Sequence, residues 1–257
     1  MNEPSWQVVV LSWNGREDTL RCLDSLAKVT DPPIRVICVD NGSDDGSVEA
    51  VHERHPEVVL IENGANLGYA GGNNAGIRRA LDHGAEWVVL VNNDAVVAPD
   101  AIAGFAAVAG RHPDAGALAG KLFLADRPER LWFAGQRFLT SLGYSGRGRG
   151  EGRRDGPRYE RIVPTDRAAG ALMAVSRRAI ERAGLMDEEL FAYVEDVDWS
   201  LRIREAGFTV LVAPDARAWH AVAGSSGGGA STANLYYGTR NTIAVCERHR
   251  PLPAPLA

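Results

Sequence analysis

Cysteine is scarce in this sequence. Cys22, Cys38 and Cys246 are odd in number, lie in apolar segments and are not at metal-ligand spacings. They read as buried thiols in a reducing cytoplasm, not as a metal centre. Long apolar runs are missing too. No uninterrupted stretch reaches the roughly 18 residues that a membrane span needs, and Met1 to Trp6 has no basic start followed by an apolar segment. The expectation is a cytoplasmic protein with at most peripheral contact with the inner face of the membrane. Positive charge is not in excess either: 28 Lys and Arg against 33 Asp and Glu give a net charge of −5. Proteins that bind nucleic acid usually present a basic face to the phosphates, so a small molecule or glycan is the expected partner and nucleic acid is not.

The chain does have material for a core. Of its 257 residues 45% are apolar and 24% charged, a globular balance that excludes disorder of the whole chain. α/β folds of about 200–250 residues often form one unit, so a single domain is expected. Val8 to Leu11 is a short β-branched run that stops at Asn14-Gly15, the pattern of a buried strand meeting a turn. Leu20, Leu23, Leu26 and Ala27 then recur at helical spacing. Further strands are expected at Val36 to Val39, Val58 to Ile61 and Trp87 to Val91, with helices over Ser43 to His55 and Gly72 to Leu81. This alternation implies right-handed crossovers and an α/β fold with a mainly parallel central sheet flanked by helices. The second half is less regular. Gly116 to Leu124 and Ala171 to Val175 suit strands, and Glu195 to Ala206 suits a helix. Ser141 to Pro164 is rich in glycine and arginine with almost no apolar residues, and Ala223 to Thr232 is glycine-rich; both are expected to be mobile loops.

In an open α/β sheet the ligand crevice lies beyond the carboxyl ends of the strands. Three such ends carry polar side chains: Ser12-Trp13-Asn14, Asp40-Asn41 and Asn92-Asn93-Asp94. An Asp or Asn there is often only a helix cap or an Asx-turn, and a lone tryptophan is more often core than a stacking platform. Two carboxylates and an amide cluster on neighbouring strand ends, beside an aromatic ring, also suit a ribonucleotide, which needs acceptors for its hydroxyls, a flat apolar contact and oxygen ligands for the cation of a diphosphate. A G-x-G-x-x-G turn does not follow the first strand and no Walker loop ending in G-K-[ST] occurs, which argues against a dinucleotide oxidoreductase and an ATPase. A second constellation, Glu195-Asp196-Val197-Asp198, opens a helix between aromatic residues. Acidic side chains in a first turn stabilise the helix dipole by about 0.3–1 kcal/mol each, but three within four residues exceed what capping needs. Aromatic neighbours that shield a carboxyl from water raise its pKa, as suits a general base. His220, just before the second glycine-rich stretch, is on its own more often a structural histidine than a metal ligand.

These segments line up with a known family. Val8 to Asn14, Val39 to Ser47, Asn66 to Asn74, Val91 to Asp94, Gly170 to Met173, Asp187 to Trp199 and His220 with Gly224-Ser225-Ser226 resemble, in order, family 2 glycosyltransferases of the GT-A fold, particularly rhamnosyltransferase-like bacterial members. The resemblance implies one nucleotide-diphospho-sugar transferase domain over 1–257, with a nucleotide-binding half (1–115) and an acceptor and catalytic half (116–257). It also implies roles. Leu11, Ser12, Trp13, Asp40, Gly68, Asn92, Asn93 and Asp94 would bind the donor, Asp40 at the base and Asn93 near the ribose. Asp94 and His220 would hold Mg²⁺ or Mn²⁺. Asp196 would be the catalytic base, with Glu195 orienting the acceptor and Asp198 serving the helix terminus or an arginine such as Arg202. Asn92 and Asn93 stand where many members carry carboxylates, so metal affinity is expected to be modest. The implied reaction is inverting transfer from a dTDP- or UDP-sugar to a hydroxyl of a polysaccharide or glycolipid precursor. A non-catalytic sugar-nucleotide-binding homologue and a sugar nucleotidylyltransferase remain as alternatives, though the Gly-rich basic loop of the latter is missing after the first strand.

Overall fold

A computed structural model describes residues 5–138, 148–221 and 231–249. Its first half alternates as the periodicities dictate. Strands β1 (Trp6–Ser12), β2 (Ile34–Asp40), β3 (Val59–Glu62) and β4 (Trp87–Asn92) pair in parallel in the order β3-β2-β1-β4, and helices α1 (Arg16–Leu26), α2 (Ser47–Arg54) and α3 (Gly68–Asp82) are the crossovers. Val8, Val9 and Val10 are all fully buried, because a central parallel strand is covered on both faces. Helix α2 starts later than its pattern suggests. Asp45 accepts from the backbone N–H groups of Ser47 and Arg16, and Gly46 turns at φ 77°, so Ser43 to Gly46 belong to the loop.

The second half departs from parallel pairing. Helix α4 (Ala101–Arg111) leads into β6 (Ala115–Leu124), and β9 (Leu172–Ser176) inserts between β4 and β6, antiparallel to both. β10 (Thr209–His220) runs parallel to β6, and β5 (Ala95–Val97) closes that edge antiparallel to β10. With β7 (Arg127–Phe133) on β6 and β8 (Val163–Pro164) on β10, the result is one ten-stranded mixed sheet. Parallel pairs are therefore confined to the first four strands and to β6 with β10. β10 escapes a pattern reading because Pro214-Asp215 interrupt it where its register with β6 slips, between Ala213 and Arg217. Helices α5 (Arg177–Ala183), α6 (Glu195–Glu205) and α7 (Thr232–Arg248) complete the chain, and Trp199 of α6 is wholly buried with its Nε1 donating to the Gly184 carbonyl at 2.8 Å.

Of the first glycine-rich stretch, 148–164 is described, and it has a packed residue after all. Tyr159 is buried against Phe123, Leu131 and Ala134, with the Arg149 and Arg158 guanidiniums each 5.1 Å from its ring centre. A single aromatic supplies the core that composition did not show. Of the second stretch only Ser231 and Thr232 are described; Ser231 caps α7 by accepting from the Asn234 N–H. Cys22 and Cys38 are buried, Cys246 is half-buried and all three are free thiols. No helix among the described residues is long and apolar enough to cross a membrane.

Candidate active site

One edge of the sheet collects the polar strand ends. β1, β2 and β4 end there on Ser12, Asp40 and Asn92. Reversed β9 begins there, next to Gly170-Ala171, and β10 ends there on His220. A cavity of about 640 Å³ opens at this edge, and Leu11, Trp13, Gly68, Asn92, Asn93, Asp94, Glu195, Asp196 and His220 all line it. Ser12 and Asp40 are not in the lining. The Ser12 hydroxyl pairs with that of Thr19 at 2.8 Å, which in turn accepts from Asn93 Nδ2 at 3.0 Å. Asp40 Oδ2 accepts from the Gly42 and Ser43 N–H groups at 3.0 and 2.9 Å, an Asx-turn, while its buried Oδ1 has no hydrogen-bond partner among the described residues. Both hold loops that form the wall. Trp13 lines the cavity and is 43% exposed.

Asp94 and His220 meet across the cavity wall. Asp94 Oδ1 lies 2.9 Å from His220 Nε2, and Asn92 Nδ2 lies 3.2 Å from the same nitrogen. Two cis ligands of an octahedral divalent ion, each about 2.1 Å from it, stand about 3 Å apart, so this pair fits a shared cation. Among the described residues no group of three His, Cys, Asp or Glu side chains gathers to hold a metal, so the protein offers this pair with the Asn92 amide beside it.

The acidic start of α6 resolves into three different environments. Asp196 Oδ2 accepts from Arg167 Nε and Nη2 at 3.0 and 2.7 Å and from the Gly170 N–H at 3.0 Å, whereas its buried Oδ1 has no partner among the described residues. Glu195 is also buried; desolvation first, and then the neighbouring Asp196 charge, push its pKa well above the usual carboxylate range. Asp198 is fully buried and does meet Arg202, at 2.7 Å, together with Arg248 at 2.8 Å and His249 at 2.9 Å. Burial opposes its charge, but these donors outweigh that and hold it at about 2. Asp198 thus ties α6 to α7 and stands apart from the cavity.

Sequence reasoning missed Arg167, Tyr69 and Trp132, all of which line the cavity. The Tyr69 hydroxyl donates to the Gly170 carbonyl at 2.9 Å, and the Trp132 ring lies 4.9 Å from that of His220. Tyr69 sits inside a motif segment and was within reach. Arg167 meets a partner 29 residues away, which no local pattern encodes.

The chain matches, over residues 4–235, the family model described as "Glycosyltransferase like family 2". It is 31% identical over 94% of its length, and 84% of the relative's, to the N-acetylglucosaminyl-diphospho-decaprenol L-rhamnosyltransferase of Mycobacterium tuberculosis. It is 25% identical over 85% of its length, and 69% of the relative's, to the dTDP-rhamnosyl transferase RfbF of Shigella flexneri. Among solved structures it resembles the mannosyltransferase PcManGT of Pyrobaculum calidifontis in complex with GDP-Man and Mn²⁺, with a TM-score of 0.68 and 22% identity over 98% of this chain and 66% of that longer one. The fold is the GT-A fold of such enzymes. With a cavity at the carboxyl edge of its sheet and a family match that spans most of its length, this chain belongs to glycosyltransferase family 2.

Proposed function

We propose that this glycosyltransferase works by inversion, with a divalent cation, and moves a sugar from a dTDP- or UDP-sugar, rhamnose first among the candidates, to a hydroxyl of a glycan or glycolipid acceptor at the cytoplasmic face of a membrane. The observation that carries this reading is the asymmetry of Asp196, which lines the cavity that also holds the Asp94–His220 pair: one oxygen is fixed by Arg167 and Gly170, and the other is buried with no hydrogen-bond partner among the described residues.

The chemistry follows from that arrangement. Asp196 Oδ1 takes the proton of the acceptor hydroxyl as its oxygen attacks the anomeric carbon, on the face opposite the diphosphate. The bond to the diphosphate breaks, and the nucleoside diphosphate leaves with the electron pair. One displacement inverts the centre. Glu195, whose burial disfavours its charged form, orients the acceptor beside it. Trp13 offers a face to the base, Asn93 approaches the ribose, and Asp40 keeps the loop beneath the base in shape. Asp94 and His220, with Asn92 beside them, would hold Mg²⁺ or Mn²⁺, which when bound supplies positive charge against the departing diphosphate.

Support for the sugar and acceptor comes from the relatives, both described as rhamnosyl transferases, one of them by a lipid-linked acceptor. The test is a panel of dTDP-, UDP- and GDP-sugars with Mg²⁺ or Mn²⁺, read by thermal shift, donor hydrolysis and the anomeric configuration of any product. Stabilisation and release of nucleoside diphosphate with dTDP-rhamnose or a UDP-sugar is the expected result. Retained anomeric configuration would contradict inversion, and pyrophosphate release from a nucleoside triphosphate and a sugar phosphate would point to a nucleotidylyltransferase.

A further inference from the structure

The segment that delivers Glu195 and Asp196 to the cavity runs through unfavourable backbone. Phe191, Tyr193 and Val194 have φ of 60°, 66° and 72°, a region that side-chain-bearing residues seldom adopt and a β-branched valine least of all. Such residues persist only where their surroundings over-determine them.

One side chain does most of that. Asn241 of α7 has no exposed surface, and its Nδ2 donates to the carbonyls of Leu190, Ala192 and Tyr193 at 2.7, 2.9 and 2.7 Å. Only the NH₂ end of the amide can donate to carbonyls, so its orientation is fixed by chemistry, with one of its two hydrogens shared between two of the three; Oδ1 accepts from Arg240 Nε at 2.9 Å. The remaining carbonyls of the segment are also accounted for. Phe191 accepts from the Ala70 N–H of α3 at 3.1 Å, and Val194 accepts from the Asp198 N–H of α6 at 3.0 Å. Tyr237 of α7 stacks on the Phe191 ring at 5.0 Å. The Leu190 carbonyl also accepts from the Ala192 N–H at 2.7 Å, so the accounting runs through the Asn241 amide at Ala192 and Tyr193.

We infer that Asn241 is a positioning residue for sugar transfer: it holds residues 190–194 in their left-handed course and so sets where Asp196 Oδ1 meets the incoming hydroxyl. Asn241 does not line the cavity, and at its nucleotide end Trp13, Asn93 and Asp94 are carried by the loops after β1 and β4. Its influence is on turnover and not on donor affinity. The inference rests on Asp196 being the base.

The experiment reads Mn²⁺-dependent hydrolysis of dTDP-rhamnose by the wild-type chain and by Asn241→Ala, Val194→Gly, their double variant and Asp196→Asn, with dTDP binding followed by calorimetry. Small displacements of a reacting group cost up to about 100-fold, so Asn241→Ala should lower kcat about 10- to 100-fold while donor KM and dTDP affinity stay within about twofold. In the Val194→Gly background the same substitution should cost only a few-fold, on the order of its coupling to one strained residue, because glycine holds φ 72° without help. A purely structural role would lower the melting temperature without this split, or cost the same in both backgrounds, and either result overturns the inference. So does wild-type turnover in folded Asn241→Ala when Asp196→Asn is slow. If instead Asp196→Asn hydrolyses donor normally, it is the base assignment that has failed. Should Asn241→Ala not fold, Asn241→Ser keeps a single hydroxyl donor at the position and should lower kcat several-fold at constant KM; unchanged kcat there also overturns the inference.

Discussion

Asp196 has an arginine within hydrogen-bond reach, whereas its neighbour Glu195 is pushed up to about 8 by burial and by the Asp196 charge. That difference has a consequence for stability. The folded protein binds the Glu195 proton more tightly than the unfolded chain, so this group's contribution is fully present below its ordinary value of 4.5 and is lost as pH rises toward 8. Glu195→Gln cannot ionise and keeps it. Unfolding in denaturant should show the glutamine variant gaining on the wild type between pH 5 and pH 8, by up to about 1.4 kcal/mol per pH unit, and a constant difference would contradict the assignment. At this scale the sequence was informative where side chains follow strand ends directly, as at Asn92 to Asp94. It was silent on Arg167, whose meaning lies in a carboxylate brought to it by the fold, and it left open that Asp40 spends one oxygen on its own turn.

At the scale of elements, α3 and the segment before α6 touch where Gly68 leaves room. Gly68 has φ 75°, and a methyl group there would stand 2.5 Å from the Phe191 carbonyl oxygen. Gly68→Ala should therefore cost about 1–2 kcal/mol for the backbone conformation alone, and more for displacing the contact. Because Gly68 also lines the cavity, donor affinity and turnover should fall together; calorimetry with dTDP and steady-state hydrolysis check this, and a loss in only one would separate the two walls. The parallel half was legible because β-branched runs alternate with helical spacing from Val8 to Val91. The reversal of β9 was not, since a five-residue buried strand reads the same in either direction.

At the scale of the whole molecule, the mixed sheet is what joins two distant stretches of chain. Asp94 follows β4 and His220 ends β10, and they meet because β10 runs parallel to β6 and pairs with β5. If they share a cation, dTDP binding in the presence of Mn²⁺ should be lost on Asp94→Ala or on chelation and weakened about 10- to 100-fold by His220→Ala. Undiminished binding in all three cases would remove the cation from the site. The central claim, however, is that Asp196 is the base, and turnover of Asp196→Asn tests it most directly. General-base catalysis is typically worth about 10²–10⁴ in rate, so kcat for sugar transfer should fall by that factor while dTDP affinity is unchanged. Near-normal transfer by Asp196→Asn would contradict the account.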